Sequence, residues 1–183
     1  MSTWLDDALT IAQAGVLGEY DVSPTAVVLG GGRNVQISLA GLKDEEEPDQ
    51  WQDAVRAVCE ELDADMVVLY FSAWTTVRQQ DQDTALDTLV VQVSVPGRLI
   101  FRAYEQVRGT DSGVVTCLRE LPHLSEEADP LGDPLMKPSL GNVFEPSSES
   151  FRSSDIYENL IETVTQKLQS LPTTAEGRRA VLH

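Results

Sequence analysis

Histidine, lysine and cysteine are nearly missing from this chain: two, three and two residues among 183. Scarcity on this scale removes most of the usual catalytic chemistry. His183 is the last residue, so any Ser/His/Asp or Cys/His machine would have to use His123. That residue stands between Pro122 and Leu124 at the edge of a proline-rich stretch, a poor platform for a general base, and reads as a surface histidine. Cys59 and Cys117 are too few for a disulfide framework and read as reduced, small core side chains. Cys59 has no basic neighbour beyond Arg56 to favour a thiolate, and four-ligand zinc spacings are absent. No run approaches the ~18 apolar residues that span a bilayer. The opening Met1-Ser2-Thr3-Trp4-Leu5-Asp6-Asp7 lacks the basic and apolar regions of a secretory leader. The expectation is a cytoplasmic protein with no membrane span and no cofactor.

Positive charge is also scarce. Thirty acidic against thirteen basic residues give a net charge of −17, which repels nucleic acid and anionic lipid and disfavours direct nucleic-acid binding. Three explanations compete. Ten arginines against three lysines, with many carboxylates, match a protein adapted to molar salt. Mimicry of DNA is the second. A surface of about 8,700 Å² for this mass spreads the charge to ~500 Å² per unit, against ~100 Å² on a duplex. Only a local cluster could imitate a phosphate track, and residues 43–65, with ten acids and two bases, are the candidate. An ordinary acidic protein is the third. Salt adaptation is preferred and mimicry ranks last.

With 42% hydrophobic and 23% charged residues, most of the chain has the composition of a folded domain. Leu5, Leu9, Ala12 and Val16 predict a first helix. Thr25 to Leu29 and the alternating Val35, Ile37, Leu39 predict two strands joined through Gly30-Gly31-Gly32. A phosphate loop would need a helix after those glycines and a Lys-Ser/Thr pair. Here Arg33 opens a strand, so a plain hairpin is expected. Trp51, Ala54, Val55, Val58 and Leu62 form one helical stripe, with Asp53, Glu60 and Glu61 on the other faces. The continuous run Met66 to Phe71 predicts a central strand covered on both faces, followed by a polar loop from Arg78 to Asp87. Pro96-Gly97 fits a type II turn between strands at 89–95 and 99–104, and Val114 to Leu118 adds another strand.

The fold expected is α+β: a two-layer sandwich with a mostly antiparallel sheet of about five to six strands and helices on one face. Residues 1–121 form its core domain. Residues 122–153, with five prolines and many acids and serines, read as an extended arm. Residues 154–172 read as an amphipathic helix packing on the core or a partner, and 173–183 as a loose tail.

Chemistry-bearing constellations are thin. Asp63 and Asp65 bracket the entry to the central strand, and Asp81, Asp83 and Asp87 share the polar loop, so these are the metal candidates. An EF-hand counted from Asp81 would need glycine at Leu86 and glutamate at Gln92, and fails. Arg98, Arg102 and Tyr104, near Arg108, share one strand parity and could form a small nucleic-acid platform or an exposed face with local ion pairs. Ile156, Leu160 and Val164 line the last helix and complete the interaction candidates. The function expected is a non-enzymatic, acidic protein-binding or assembly module, its partner another protein or a second copy. A carboxylate/metal-dependent hydrolase is the alternative, and a DNA-mimic inhibitor of a nucleic-acid enzyme the further one.

Overall fold

Residues 3–40, 50–79, 82–128 and 142–170 are described by the structure, a computed structural model. Helix α1 (Thr3–Ala14) leads to strands β1 (Thr25–Gly30) and β2 (Arg33–Ser38), then helix α2 (Gln50–Leu62). Two long strands follow, β3 (Ala64–Gln79) and β4 (Gln82–Val95), then β5 (Arg98–Arg108), β6 (Val115–Glu120) and a short β7 (Glu126–Ala128). One helical turn, α3 (Glu149–Arg152), and helix α4 (Asp155–Ser170) complete the order. The sheet runs β2-β1-β3-β4-β5-β6 with every neighbouring pair antiparallel, and β7 adds to β5.

Local chemistry explains the turns. Gly30 pairs with Arg33, leaving Gly31 (φ 57°) and Gly32 (φ 78°) as two successive left-handed positions. A two-residue hairpin of the primed type demands that, and glycine supplies it without steric cost. Gly30 answers a different need. A Cβ there would stand 2.6 Å from both Ala64 Cα and the Asp63 carbonyl, where α2 turns into β3. Asp63 takes a left-handed φ of 49° just beyond the last residue of α2, as helix-ending residues often do.

Strand alternation builds two cores. Val67, Leu69 and Phe71, with Val90, Leu99 and Phe101, meet Val55, Val58, Cys59 and Leu62 of α2 and Val164 of α4. The opposite parity, including Val68, Tyr70, Leu89, Val91 and Ile100, packs under Leu5, Ala8 and Ala12 of α1. Each large side chain so buried stabilises the fold by about 1.5–3 kcal/mol. The α+β sandwich with an antiparallel sheet is therefore what forms. Helices cover both faces rather than one, because β3 and β4 are apolar at both parities and neither face can be left to water.

The chain after residue 121 is more structured than an extended arm in its described parts. Pro122–Leu124 makes a 3-10 turn, and β7 pairs with Leu99 to Phe101 of β5. Residues 142–152 lie along α2. Asp53 is only 8% exposed, and its carboxylate accepts the Ser148 amide (2.9 Å) and hydroxyl (2.6 Å). Ser148 in turn caps α3. Arg56 reaches the Asn142 carbonyl and pairs with Glu145 at 3.0 Å, while Glu60 pairs with Arg152 at 2.9 Å. Phe151 closes over Ala54 and Ala57. Asp53 and Glu60, placed on other faces of α2 by the apolar stripe, are thus anchors for this segment. Residues 129–141 and 171–183, the middle of the expected arm and the whole of the expected tail, lie outside the described residues.

Candidate interaction site

The segment read as a polar loop is a continuation of the sheet. β3 and β4 stay paired from Val67↔Ser94 to Gln79↔Gln82, leaving only residues 80 and 81 between them. Their neighbours stop much earlier. β1 leaves β3 at Tyr70, and β5 leaves β4 at Thr88. The six pairs from Trp74↔Asp87 to Gln79↔Gln82 therefore have no third strand among the described residues. At ~3.3 Å per residue this two-stranded ribbon is about 17 Å long. Trp74 at its base is 76% exposed, and nearby loop residue Tyr20 is 71% exposed.

A polar fork sets the base of the ribbon. Where β4 and β5 part, Gln106 Nε2 donates to Ser72 Oγ at 2.9 Å and to Asp87 Oδ1 at 2.8 Å. Arg108 Nε donates to Asp87 Oδ2 at 2.6 Å, and its Nη1 to the carbonyls of Tyr20 and Gly113. Two donors of β5 thus converge on the one carboxylate of β4. Gln106 is 4% exposed, and its Oε1 has no partner among the described residues. Buried acceptors are rarely left so.

The expected site residues are scattered by the fold. Asp63 and Asp65 are exposed beside the end of α2, Asp83 lies on the ribbon, and Asp87 is engaged in the fork. Asp81 lies outside the described residues. Among the described residues, no three His, Cys, Asp or Glu side chains converge as a metal-ligand set.

Arg98, Arg102 and Tyr104 do share a face, but it is the face under α1. Arg98 stacks over Trp4 at 5.4 Å, Arg102 reaches Glu120 at 3.9 Å, and Tyr104 is buried. Burial, with Glu120 adding, pushes the Tyr104 hydroxyl above its usual range. The three therefore present no joint stacking surface. Ile156, Leu160 and Val164 pack on α2, Phe151 and the sheet, so that stripe serves the chain's own core.

His123 is exposed on its 3-10 turn. Cys59 is buried as expected, and burial, with Glu60 adding, pushes its thiol up to about 12. Cys117, expected in the core, is exposed on β6.

Sequence reading missed Trp74 as an exposed aromatic and the ribbon as a strand pair. The signal was present in Trp74-Thr75-Thr76-Val77 and Thr84-Ala85-Leu86, which are aromatic, branched or apolar residues suited to strands. The polar residues between them masked it. No helix among the described residues is long and apolar enough to cross a membrane. No protein-family model, curated protein or solved structure matches this chain.

Proposed function

We propose that this chain is a non-enzymatic protein-binding module that uses the β3–β4 ribbon as its contact element. The observation that carries the reading is the ladder beyond Tyr70 and Thr88, which has no third strand among the described residues, with Trp74 exposed at its base. An open strand edge offers a row of backbone donors and acceptors, the basis of recognition by strand addition. A large exposed aromatic beside it is the residue type that anchors interfaces. A photo-crosslinking amino acid at position 74, with exposed Asp111 as the control position, tests this in the native host. The expected result is a protein adduct at 74 and none at 111. Equal labelling at both positions, or none at 74, would refute the reading.

The acidic composition supports a second property, adaptation to concentrated salt. Arg56, Arg102, Arg108, Arg119 and Arg152 each face a carboxylate of the same chain, so much of the scarce positive charge is already engaged. Urea-unfolding midpoints across a KCl series should rise steadily into the molar range. Screening alone is nearly complete by about 0.5 M, so a plateau there would exclude salt adaptation. A reducing, cytoplasmic compartment accords with the two free thiols of Cys59 and Cys117.

A further inference from the structure

We infer that the open edge of β3 at residues 72–77 pairs with the same edge of a second copy of this chain, joining two ribbons into a four-stranded β4-β3-β3-β4 sheet about a two-fold axis. The inference rests on reading the ribbon as an interaction site and names its partner. Neither edge of the ribbon has a third strand among the described residues, and the two edges differ in chemistry. The β4 edge carries Asp83 and Asp87. Charges of this kind blunt an edge against pairing. The β3 edge, Ser72 to Gln79, carries no carboxylate and one base, Arg78, in a chain with thirty acidic and thirteen basic residues.

Charge also bears on the occupant. A basic partner would be met by an acidic edge, and the β3 edge has no acidic residue. For two bodies of net charge −17, a projecting edge free of carboxylates is where they can touch without setting carboxylate against carboxylate. The ribbon's length holds the two bodies apart. A two-stranded ribbon is marginal alone in water, and pairing doubles its strands.

Symmetry narrows the geometry. An antiparallel strand pair is self-complementary, each edge supplying donors and acceptors to the other, which is what an isologous dimer contact needs. Directly opposite residues point to the same face of a sheet, so the axis must pass between a residue and its own copy. Thr75 is the centre that fits, because an axis at Trp74 would set the copy's Arg78 and Gln79 against Tyr70 and Leu69, where β1 already pairs. It brings the two Trp74 rings onto one face as diagonal neighbours, within reach of each other. The exposure of Trp74 then has a reason.

Light scattering and sedimentation of the full chain at 0.15 M and 1 M KCl should show a concentration-dependent doubling of the 20.1 kDa mass, stronger at high salt as the Debye length falls from about 8 to about 3 Å. In a Cys117→Ser background, Thr75→Cys tests the axis. A residue on it meets its own copy with Cα atoms about 4.5–5.5 Å apart, inside disulfide range. Thr75→Cys should therefore cross-link into a dimer under mild oxidation, and Thr84→Cys on β4 should not. Thr76→Asp should return the chain to monomer with an unchanged circular-dichroism spectrum. A monomer at every concentration in both salts, or cross-linking through Thr84→Cys as fast as through Thr75→Cys, overturns the inference. A monomer that still forms a protein adduct at position 74 overturns the second copy while leaving the interaction reading standing; a monomer without that adduct overturns both.

Discussion

β3 and β4 each pass through two environments. At the root, Val67 to Phe71 lies against Val90 to Ser94, flanked by β1 and β5 and covered by helices on both faces. At the tip, Trp74 to Gln79 lies against Gln82 to Asp87 with no flanking strand among the described residues. Both halves use strand-forming residues and continue one ladder. The difference lies in what surrounds them. Root residues contribute free energy by leaving water, whereas most described tip side chains remain wholly or partly in it. Local preference can make a strand, but only burial on its flanks and faces makes that strand a foundation.

The sharpest way to break this comparison is to truncate one large residue in each half. Leu69 is fully buried, so Leu69→Ala should cost about 2–5 kcal/mol in urea unfolding. Trp74→Ala removes a bigger side chain yet should stay within about 0.5 kcal/mol in the monomer, because most of the ring is already in water. Comparable losses would mean that the tip is part of the core.

A smaller effect separates the anchored segment from the ribbon. Asp53→Ala should cost about 1–3 kcal/mol, because it strips the Ser148 amide and hydroxyl of their acceptor in a half-buried place. Limited proteolysis should then cut within residues 142–152 earlier than in the parent. An unchanged cleavage pattern would show that Phe151 and the Arg56 and Glu60 pairs hold that segment without Asp53.

These residues mark where sequence reasoning reached and where it stopped. The hairpin at Gly31-Gly32, the stripe of α2 and the doubly covered β3 were legible, because each rests on periodicity or on a conformation only certain residues adopt. Asp53 was not. A carboxylate on a helix face looks solvated until the fold brings Ser148, 95 positions away in sequence, to meet it. The fork was hidden for the same reason, since Ser72, Asp87 and Gln106 come from three strands. The ribbon failed differently. Its composition is mixed, and no short-range pattern reports that flanking strands will stop while a pair continues.

Alkaline pH probes burial at the root. Cys59 packs in the same cluster as Leu69, and burial lifts its thiol from 9.0 to about 12. Below pH 9 both folded and unfolded chains hold the proton and the thiol contributes nothing to the pH dependence. Between pH 9 and 12 the unfolded chain loses the proton while the folded chain keeps it, so stability falls. The loss relative to neutral pH should reach about 1.4 kcal/mol at pH 10. Tyr70 and Tyr104, also raised by burial from 10.0, add their share at higher pH. Cys59→Ala should flatten the fall between pH 9 and 10, and an equally steep fall in that variant would mean the thiol is not buried as described.

A smaller loss tests the junction between root and tip. Asp87→Asn keeps an oxygen to accept from Gln106 Nε2 but removes the charge that faces Arg108. The pair is part-exposed, with 18% of the Asp87 side chain and 30% of the Arg108 side chain accessible, so its loss should cost only about 0.5–1 kcal/mol globally and less as salt rises. The local consequence should be clearer than the global one. Asp87 is where the ribbon is fastened to β5, and local opening draws on the weakest unit first. Amides of 74–79 and 82–87 should exchange faster in the variant, while those of 67–71 and 90–94 keep the parent's protection. Acceleration at the root as great as at the tip would show that the two halves open as one unit, and that the fork is not their boundary.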